Sequence, residues 1–283
     1  RLVLDGVRPP EHAPDAPAAG APVAVAPAGY VLRHAGWCPI CERATTFSAT
    51  EVWLRDHYVC EKCHSLPRER ALMVALQTRF PDWRRLRIHE SSPELRGLSA
   101  KLSRECPGYV PSQYDPATPC GTLEPGGRWR SEDLEQQAFE SGSFDVVITQ
   151  DVFEHIFDTD AAFREVQRTL RPGGAHLLTT PLVRAEAASR RRAERGPDGV
   201  RHLEPPEFHG NPMSAEGSLV TWDWGYDIVE QIHACTGDEA RRIMVTIPAL
   251  GMVAAYLDVI VVERRNPPHN RGQQALPRHA TAN

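Results

Sequence analysis

The sequence predicts a doubly wound α/β domain with a small four-cysteine zinc-ribbon module ahead of it. From Leu86 onward strand-like and helical stretches alternate, the pattern that builds a mostly parallel sheet covered by helices on both faces. Two Cys-x-x-Cys pairs, Cys38 with Cys41 and Cys60 with Cys63, precede that alternation. A chain of 283 residues has room for one full α/β domain and a small module.

Residues 1–29 are rich in Ala and Pro and hold few large apolar side chains, which predicts a flexible leader. The module occupies 30–67. Helical spacing then runs from Arg68 to Leu76 and ends before Pro81. Leu86–Glu90 reads as the first strand. Pro93–Leu102 reads as a helix with Ser92 as its cap and Pro93 in its first turn. Tyr109–Tyr114 and Trp129–Leu134 are the second and third strands. Phe144–Thr149 is the fourth, set off by the turn Ser141-Gly142-Ser143. Ala162, Phe163, Val166 and Leu170 make one stripe of a helix over Thr159–Leu170, stopped by Arg171-Pro172-Gly173-Gly174. Ala175–Thr180 is the fifth strand. A helix over Asp227–Ala234 and strands at Ile243–Ile247 and Leu257–Val262 close the domain, which spans 68–265. The polar stretch 266–283 reads as a disordered tail.

Composition narrows the function classes. A net charge of −5 argues against a protein whose main task is coating nucleic acid. The longest apolar run, Met252–Val262, is interrupted by Asp258 and falls short of the ~20 residues a spanning helix needs. No apolar signal-peptide region follows Arg1, and a cytoplasmic location is expected.

In the cysteine module, the two-residue gap in each pair lets both thiolates reach one ion from a tight turn. Eighteen residues separate the pairs, so the four sulfurs suit a closed tetrahedral Zn²⁺ site. Cys60-Glu61-Lys62-Cys63-His64 also matches a c-type haem attachment pattern, which would require export and would leave the first pair idle. An iron–sulfur or redox pair is a further alternative. Cys106, Cys120 and Cys235 show no ligand spacing and are expected as buried thiols.

The run Phe144-Asp145-Val146-Val147-Ile148-Thr149-Gln150-Asp151-Val152-Phe153-Glu154-His155-Ile156, followed by Glu165-Val166-Gln167-Arg168-Thr169-Leu170-Arg171-Pro172-Gly173-Gly174 and Thr179-Thr180-Pro181, resembles the type 11 group of class I S-adenosylmethionine-dependent methyltransferases. The resemblance implies a seven-stranded sheet whose last strand, Leu257–Val262, runs antiparallel. It also implies that the residues just after the strands hold S-adenosylmethionine. Glu90, Ser91 and Ser92 would lie beside its methionine part, Gln113 and Tyr114 beside the ribose, Asp133 and Leu134 at the adenine, and Gln150 and Asp151 after the fourth strand. The first loop departs from the family's glycine-rich pattern: Glu90-Ser91-Ser92-Pro93 has no glycine until Gly97.

Methyl transfer is an in-line displacement that needs a base only where the acceptor carries a proton of high pKa. His155, after the fourth strand, is one candidate, and the alternative role of Glu154-His155 is to cap a helix. His209 is the second candidate. It lies in an insertion, Pro181–Leu219, that also carries Arg190, Arg191, Arg192, Arg195 and Arg201. Those arginines read more readily as a solvated, mobile face than as an anion site, and Phe208-His209-Gly210-Asn211-Pro212 reads as a lid. A small-molecule acceptor is expected. RNA is the alternative, and a non-catalytic scaffold a second one.

Overall fold

The computed structural model describes residues 29–211 and 213–265. The expected leader up to residue 28 and the tail from 266 lie outside the described residues. The module comes first: β1 (Leu32–Cys38), β2 (Arg43–Ala49), the short helix α1 (Leu54–His57) and β3 (Val59–Cys60). The three strands pair antiparallel in the order β1-β2-β3. Helix α2 (Pro67–Arg79) follows, with Pro67 at its first position, where a missing N–H costs nothing. The Glu69 carboxylate accepts from the Leu66 amide at 2.7 Å, satisfying a free donor at that helix end.

Next come β4 (Ile88–Ser91), α3 (Gly97–Glu105), β5 (Tyr109–Gln113), β6 (Arg130–Ser131), β7 (Phe144–Gln150), α4 (Thr159–Thr169) and β8 (Leu170–Thr179). The insertion supplies β9 (Arg190–Arg191), β10 (Ala193–Gly196), β11 (Gly199–His202), β12 (Phe208–Asn211), β13 (Ser214–Leu219) and β14 (Trp222–Asp223). Helix α5 (Ile228–Thr236), β15 (Glu239–Ile243) and β16 (Val259–Glu263) are the last elements among the described residues.

The main sheet has seven strands in the order β15-β16-β8-β7-β4-β5-β6. Strands β4 to β8 are parallel, and β16 runs antiparallel between β8 and β15. This is the class I methyltransferase topology, with the reversed last strand in its expected place. Both faces are buried, so successive residues of one strand enter opposite cores. Val146 and Ile148 pack with α2, α3 and the module, whereas Val147 packs with α4 and α5. Two histidines sit in this sheet with no solvent exposure, His89 on Ser112 Oγ at 2.8 Å and His176 on Thr149 Oγ1 at 2.9 Å. Burial pushes both imidazoles down to about 3, so they are neutral at pH 7.

The structure corrects several expectations. The helix after the first strand starts at Gly97 rather than Pro93, and Ser92 does not cap it. Ser92 instead has φ 57°, a left-handed turn that ends the strand. The sixth strand lies at 239–243, not 243–247, because it is a half-exposed edge strand whose Glu239, Arg241 and Arg242 mask its pattern. The insertion is three two-stranded ribbons, β10-β11, β12-β13 and β14-β9. Of the isolated cysteines, Cys106 is buried, Cys235 half-buried and Cys120 exposed.

Candidate functional site

The four cysteines converge as their spacing predicts. Cys38 closes β1, Cys41 follows in the turn, Cys60 ends β3 and Cys63 lies in the next turn. Cys38 and Cys63 sulfurs stand 3.6 Å apart and Cys41 and Cys60 sulfurs 3.9 Å apart, with all four within 4.8 Å of one another. A tetrahedron of Zn–S bonds near 2.3 Å has an edge of about 3.8 Å, which these separations bracket. They are far too long for a disulfide. Hydrogen bonding among the sulfurs holds Cys60 and Cys63 below the ordinary thiol range and pushes Cys41 above it. A cation at the centre removes that conflict by favouring thiolate at every position.

The module is locked to the sheet domain by buried arginines. Arg70, fully buried on α2, donates to Tyr58 O at 2.9 Å and to Gly251 O at 2.6 Å, and its guanidinium lies over the Phe47 ring. Arg55, on α1, reaches further. Its Nη2 lies 2.5 Å from Asp151 Oδ1, and it also donates to Tyr256 O. Arg68 Nε lies 3.1 Å from Asp151 Oδ2. Asp151 sits just past β7 with φ 51°, and Thr179 Oγ1 donates to it at 2.9 Å. Burial alone would raise its carboxyl, but the charges of Arg55 and Arg68 outweigh burial and hold it below the usual carboxylate range. Sequence reasoning missed all three arginines. Arg68 and Arg70 had one available sign, the cluster Arg68-Glu69-Arg70 opening a helix whose remaining residues are largely apolar, and Arg55 had none.

The residues expected to hold a cofactor do gather at the carboxyl end of the sheet. Register places Ser91 beside Ser112 on one side and Thr149 on the other. Glu90 is wholly buried and accepts from Tyr109 Oη at 2.6 Å, Ser99 Oγ at 2.9 Å and Gln150 Nε2 at 2.5 Å. Burial pushes its carboxyl up to about 7 despite those donors. Gln113 donates to Pro93 O at 3.1 Å, pinning the first loop, while Tyr114 is exposed. Ser92 adopts the left-handed backbone that a glycine would take at no cost. Asp133 accepts from the Glu135 amide at 2.9 Å, and Leu134 is buried beside it.

The two candidate histidines meet. Phe153–His155 forms a 3₁₀ turn after β7, and His209 comes from β12. Their rings are 5.1 Å apart at 89°. His155 Nδ1 lies 2.9 Å from Leu219 O, which fixes the proton on Nδ1 and leaves a lone pair on Nε2. Burial holds this imidazole below the ordinary histidine range. Glu154 is buried beneath them; burial, then the charge of Asp151, pushes its carboxyl up to about 7.

The arginines of the insertion are largely solvated, as expected, and most of them are ion-paired: Arg190, Arg195 and Arg201 are exposed while Arg192 is largely buried. Thr221 donates from its amide to Glu154 O at 2.7 Å and from Oγ1 to Ile156 O at 2.7 Å, which ties the ribbons to the β7 turn. Arg190 and Arg192 both pair with Asp223, Arg195 with Glu135 and Arg201 with Glu194. Gly217, at φ 84°, lets β13 cross the His209 carbonyl where any Cβ would collide.

Residues 116–178 match the family described as a methyltransferase domain. No curated protein matches the sequence. Among solved structures, the chain is similar to an S-adenosylmethionine-dependent methyltransferase from Mesorhizobium loti, at 18% identity over 69% of this chain and 98% of that one, with a TM-score of 0.44. It is also similar to the S-adenosylmethionine-bound amino pentose methyltransferase of calicheamicin biosynthesis from Micromonospora echinaspora, at 15% identity over 71% and 92%, with a TM-score of 0.46. A third is the 1,6-didemethyltoxoflavin-N1-methyltransferase of Burkholderia thailandensis, at 13% identity over 70% and 79%, with a TM-score of 0.41. The strand order and the matched segment agree: the chain has the fold of the class I methyltransferases behind a four-cysteine cluster, and its residues 116–178 match a methyltransferase domain.

Proposed function

We propose that the protein transfers the methyl group of S-adenosylmethionine to a small-molecule acceptor, a sugar or secondary metabolite, with the module at 30–67 holding structural Zn²⁺ and the domain at 68–265 performing the reaction. The observation that carries this is the convergence of His155 and His209, from two separate elements, beside the carboxyl ends of the central strands. Ligands of an open α/β sheet bind at that end. When bound, the cofactor supplies an activated methyl on a sulfonium. The chain's own residues position it and the acceptor, and deal with the acceptor's proton.

In this reading Ser91, Ser92 and Gln150 line the methionine part, Gln113 and Tyr114 the ribose, and Asp133 and Leu134 the adenine. Glu90 already accepts three hydrogen bonds within the protein, so its role is to fix that loop. Asp151 is engaged by Arg55 and Arg68 and acts through position rather than direct contact. His155, with its Nε2 lone pair, and His209 are the groups placed to take a proton from the acceptor.

The ion-paired arginines of the insertion disfavour RNA as acceptor, because Arg190, Arg192, Arg195 and Arg201 already face carboxylates. No helix among the described residues is long and apolar enough to cross a membrane. The thiolate cluster suits a reducing compartment, in line with a cytoplasmic location. Calorimetric titration with S-adenosylhomocysteine, followed by methyl-transfer assays on hydroxylated and aminated small molecules, tests the proposal. No binding of S-adenosylhomocysteine by the folded, zinc-loaded protein would leave a scaffold in place of an enzyme.

A further inference from the structure

We propose that Glu154, His155 and His209 form a second metal site, one for a divalent transition-metal cation, distinct from the four-cysteine cluster and placed on the acceptor side of the methyl-transfer site. This rests on the functional reading above for its location, but not for its chemistry. The three residues bring one potential ligand atom each to within 4.8 Å of the others. They come from two elements far apart in sequence, the turn after β7 and the ribbon strand β12.

The state of Glu154 is what points to a ligand. Its side chain is 2% exposed. Thr180 Oγ1 donates to Oε2 at 2.9 Å, but Oε1 has no hydrogen-bond partner among the described residues. A buried carboxylate oxygen left without a donor is costly, and such orphans are rare in native structures. His155 Nε2 lies 4.0 Å from that oxygen. That nitrogen is no donor in the neutral ring, because Nδ1 carries the proton toward Leu219 O. With Glu154 ionised, two acceptors therefore face each other, an arrangement that a cation between them resolves.

The surroundings match what metal-bound histidine needs. A backbone carbonyl on the far ring nitrogen fixes the tautomer and aims the lone pair, as the outer shell of a metal site does. Two imidazoles and one carboxylate suit Zn²⁺, Mn²⁺ or Fe²⁺ and leave coordination positions open for water or an oxygen of the acceptor. Asp151 does not compete for the ion, because Arg55 and Arg68 hold both of its oxygens. The ligand atoms must close to about 3.0–3.4 Å of one another around an ion with bonds near 2.1 Å. His209 can supply that movement: it is half-buried, and the ribbon register shifts between His209 and Asn211. Its present neighbour, Glu207 Oε1 at 3.6 Å, is exposed and beyond hydrogen-bond range. An occupied site engages both imidazole lone pairs, so cation binding and histidine base catalysis are alternatives for these two residues.

The test uses the full chain with zinc in its cysteine cluster, freed of loosely held metal with a weak chelator. Mn²⁺ alone is titrated in, and the unbound ion is read by electron paramagnetic resonance. S-adenosylhomocysteine is titrated in parallel by calorimetry. The expected result is one Mn²⁺ per chain, with affinity lowered at least about tenfold in Glu154→Gln and in His209→Ala. Each variant should keep its zinc content and its affinity for S-adenosylhomocysteine. If the buried Glu154→Gln does not fold, His209→Ala on the half-exposed ribbon carries the test alone. Absence of Mn²⁺ binding by the unaltered protein, or unchanged affinity in the folded variants, overturns the site. S-adenosylhomocysteine binding without Mn²⁺ binding overturns the site and leaves the methyltransferase reading intact. Mn²⁺ binding without S-adenosylhomocysteine binding supports the site and removes that reading.

Discussion

Replacing Arg55 by Met tests whether the cysteine module is part of the catalytic end of the sheet or merely tethered beside it. The Arg55 side chain is 1% exposed and bonds both Asp151 and the Tyr256 carbonyl. Removing one partner of a buried ion pair costs about 3–5 kcal/mol where the remaining charge is left bare. Here Arg68, 3.1 Å from Asp151, still neutralises the carboxylate. The expected loss for Arg55→Met is therefore smaller, about 2–3 kcal/mol. Asp151→Asn keeps a residue type that tolerates the left-handed backbone but strips the charge facing two guanidinium groups, so about 3–5 kcal/mol is expected. Urea unfolding of both single variants and the double variant gives the coupling, expected at about 1.5–3 kcal/mol. Single effects that add to within about 0.5 kcal/mol would refute the reasoning, since the pair would then not interact. The pH dependence has a definite sign. The folded pKa of Asp151 lies below its unfolded value of about 3.9, so the pair contributes fully above that value. The stability gap between wild type and Arg55→Met should therefore shrink as pH falls through the lowered pKa.

Other expectations follow from the same geometry. Purified protein should hold about one zinc at the cysteine cluster, and Cys38→Ser or Cys60→Ser should release it and destabilise the module, as metal analysis and thermal melts would record. Asp133→Ala should weaken S-adenosylhomocysteine binding by roughly 1–3 kcal/mol in calorimetry, and unchanged affinity would place the adenine elsewhere. Gly217→Ala should push β13 off the His209 carbonyl, lowering the melting temperature and acceptor turnover together while sparing the cysteine cluster. His89 and His176 are buried neutral, with folded pKa values of about 3 against an unfolded value near 6.5. Their contribution is complete above pH 6.5 and is lost as pH falls toward 3, and His176→Gln should flatten that part of the stability profile.

What could be read from the sequence was whatever announces itself locally. The cysteine pairs met as their spacing required, and Phe144–Gln150 was legible because an apolar run bounded by a Ser-Gly-Ser turn has few other fates. The edge strand Glu239–Ile243 was obscured because an edge carries charge to discourage further pairing. The helix start at Gly97 was obscured because Ser92 and Pro93 mimic a cap while the backbone at Ser92 turns left-handed. At the site, His155 and His209 were identifiable by chemistry, but their meeting depends on ribbons whose strands are too short and polar to show a period. Arg55 was invisible for another reason: its partner lies 96 positions along the chain, and no local pattern encodes such a pairing.

The arginines that join the module to the sheet also bear on synthesis. Arg70 finds the Gly251 carbonyl 181 positions later, and Arg55 finds that of Tyr256 201 positions later. A nascent chain exposes its cysteines early and can load metal while most of the sheet is still unmade. At about 5–20 residues per second, the docking partners follow on the order of 10–40 s afterwards. Through that interval two cationic side chains destined for burial remain in water, and the turn after β7 has only part of its support. The module can therefore form before the sheet that follows it and is seated only once Gly251 and Tyr256 have been made, well after the turn that closes β7.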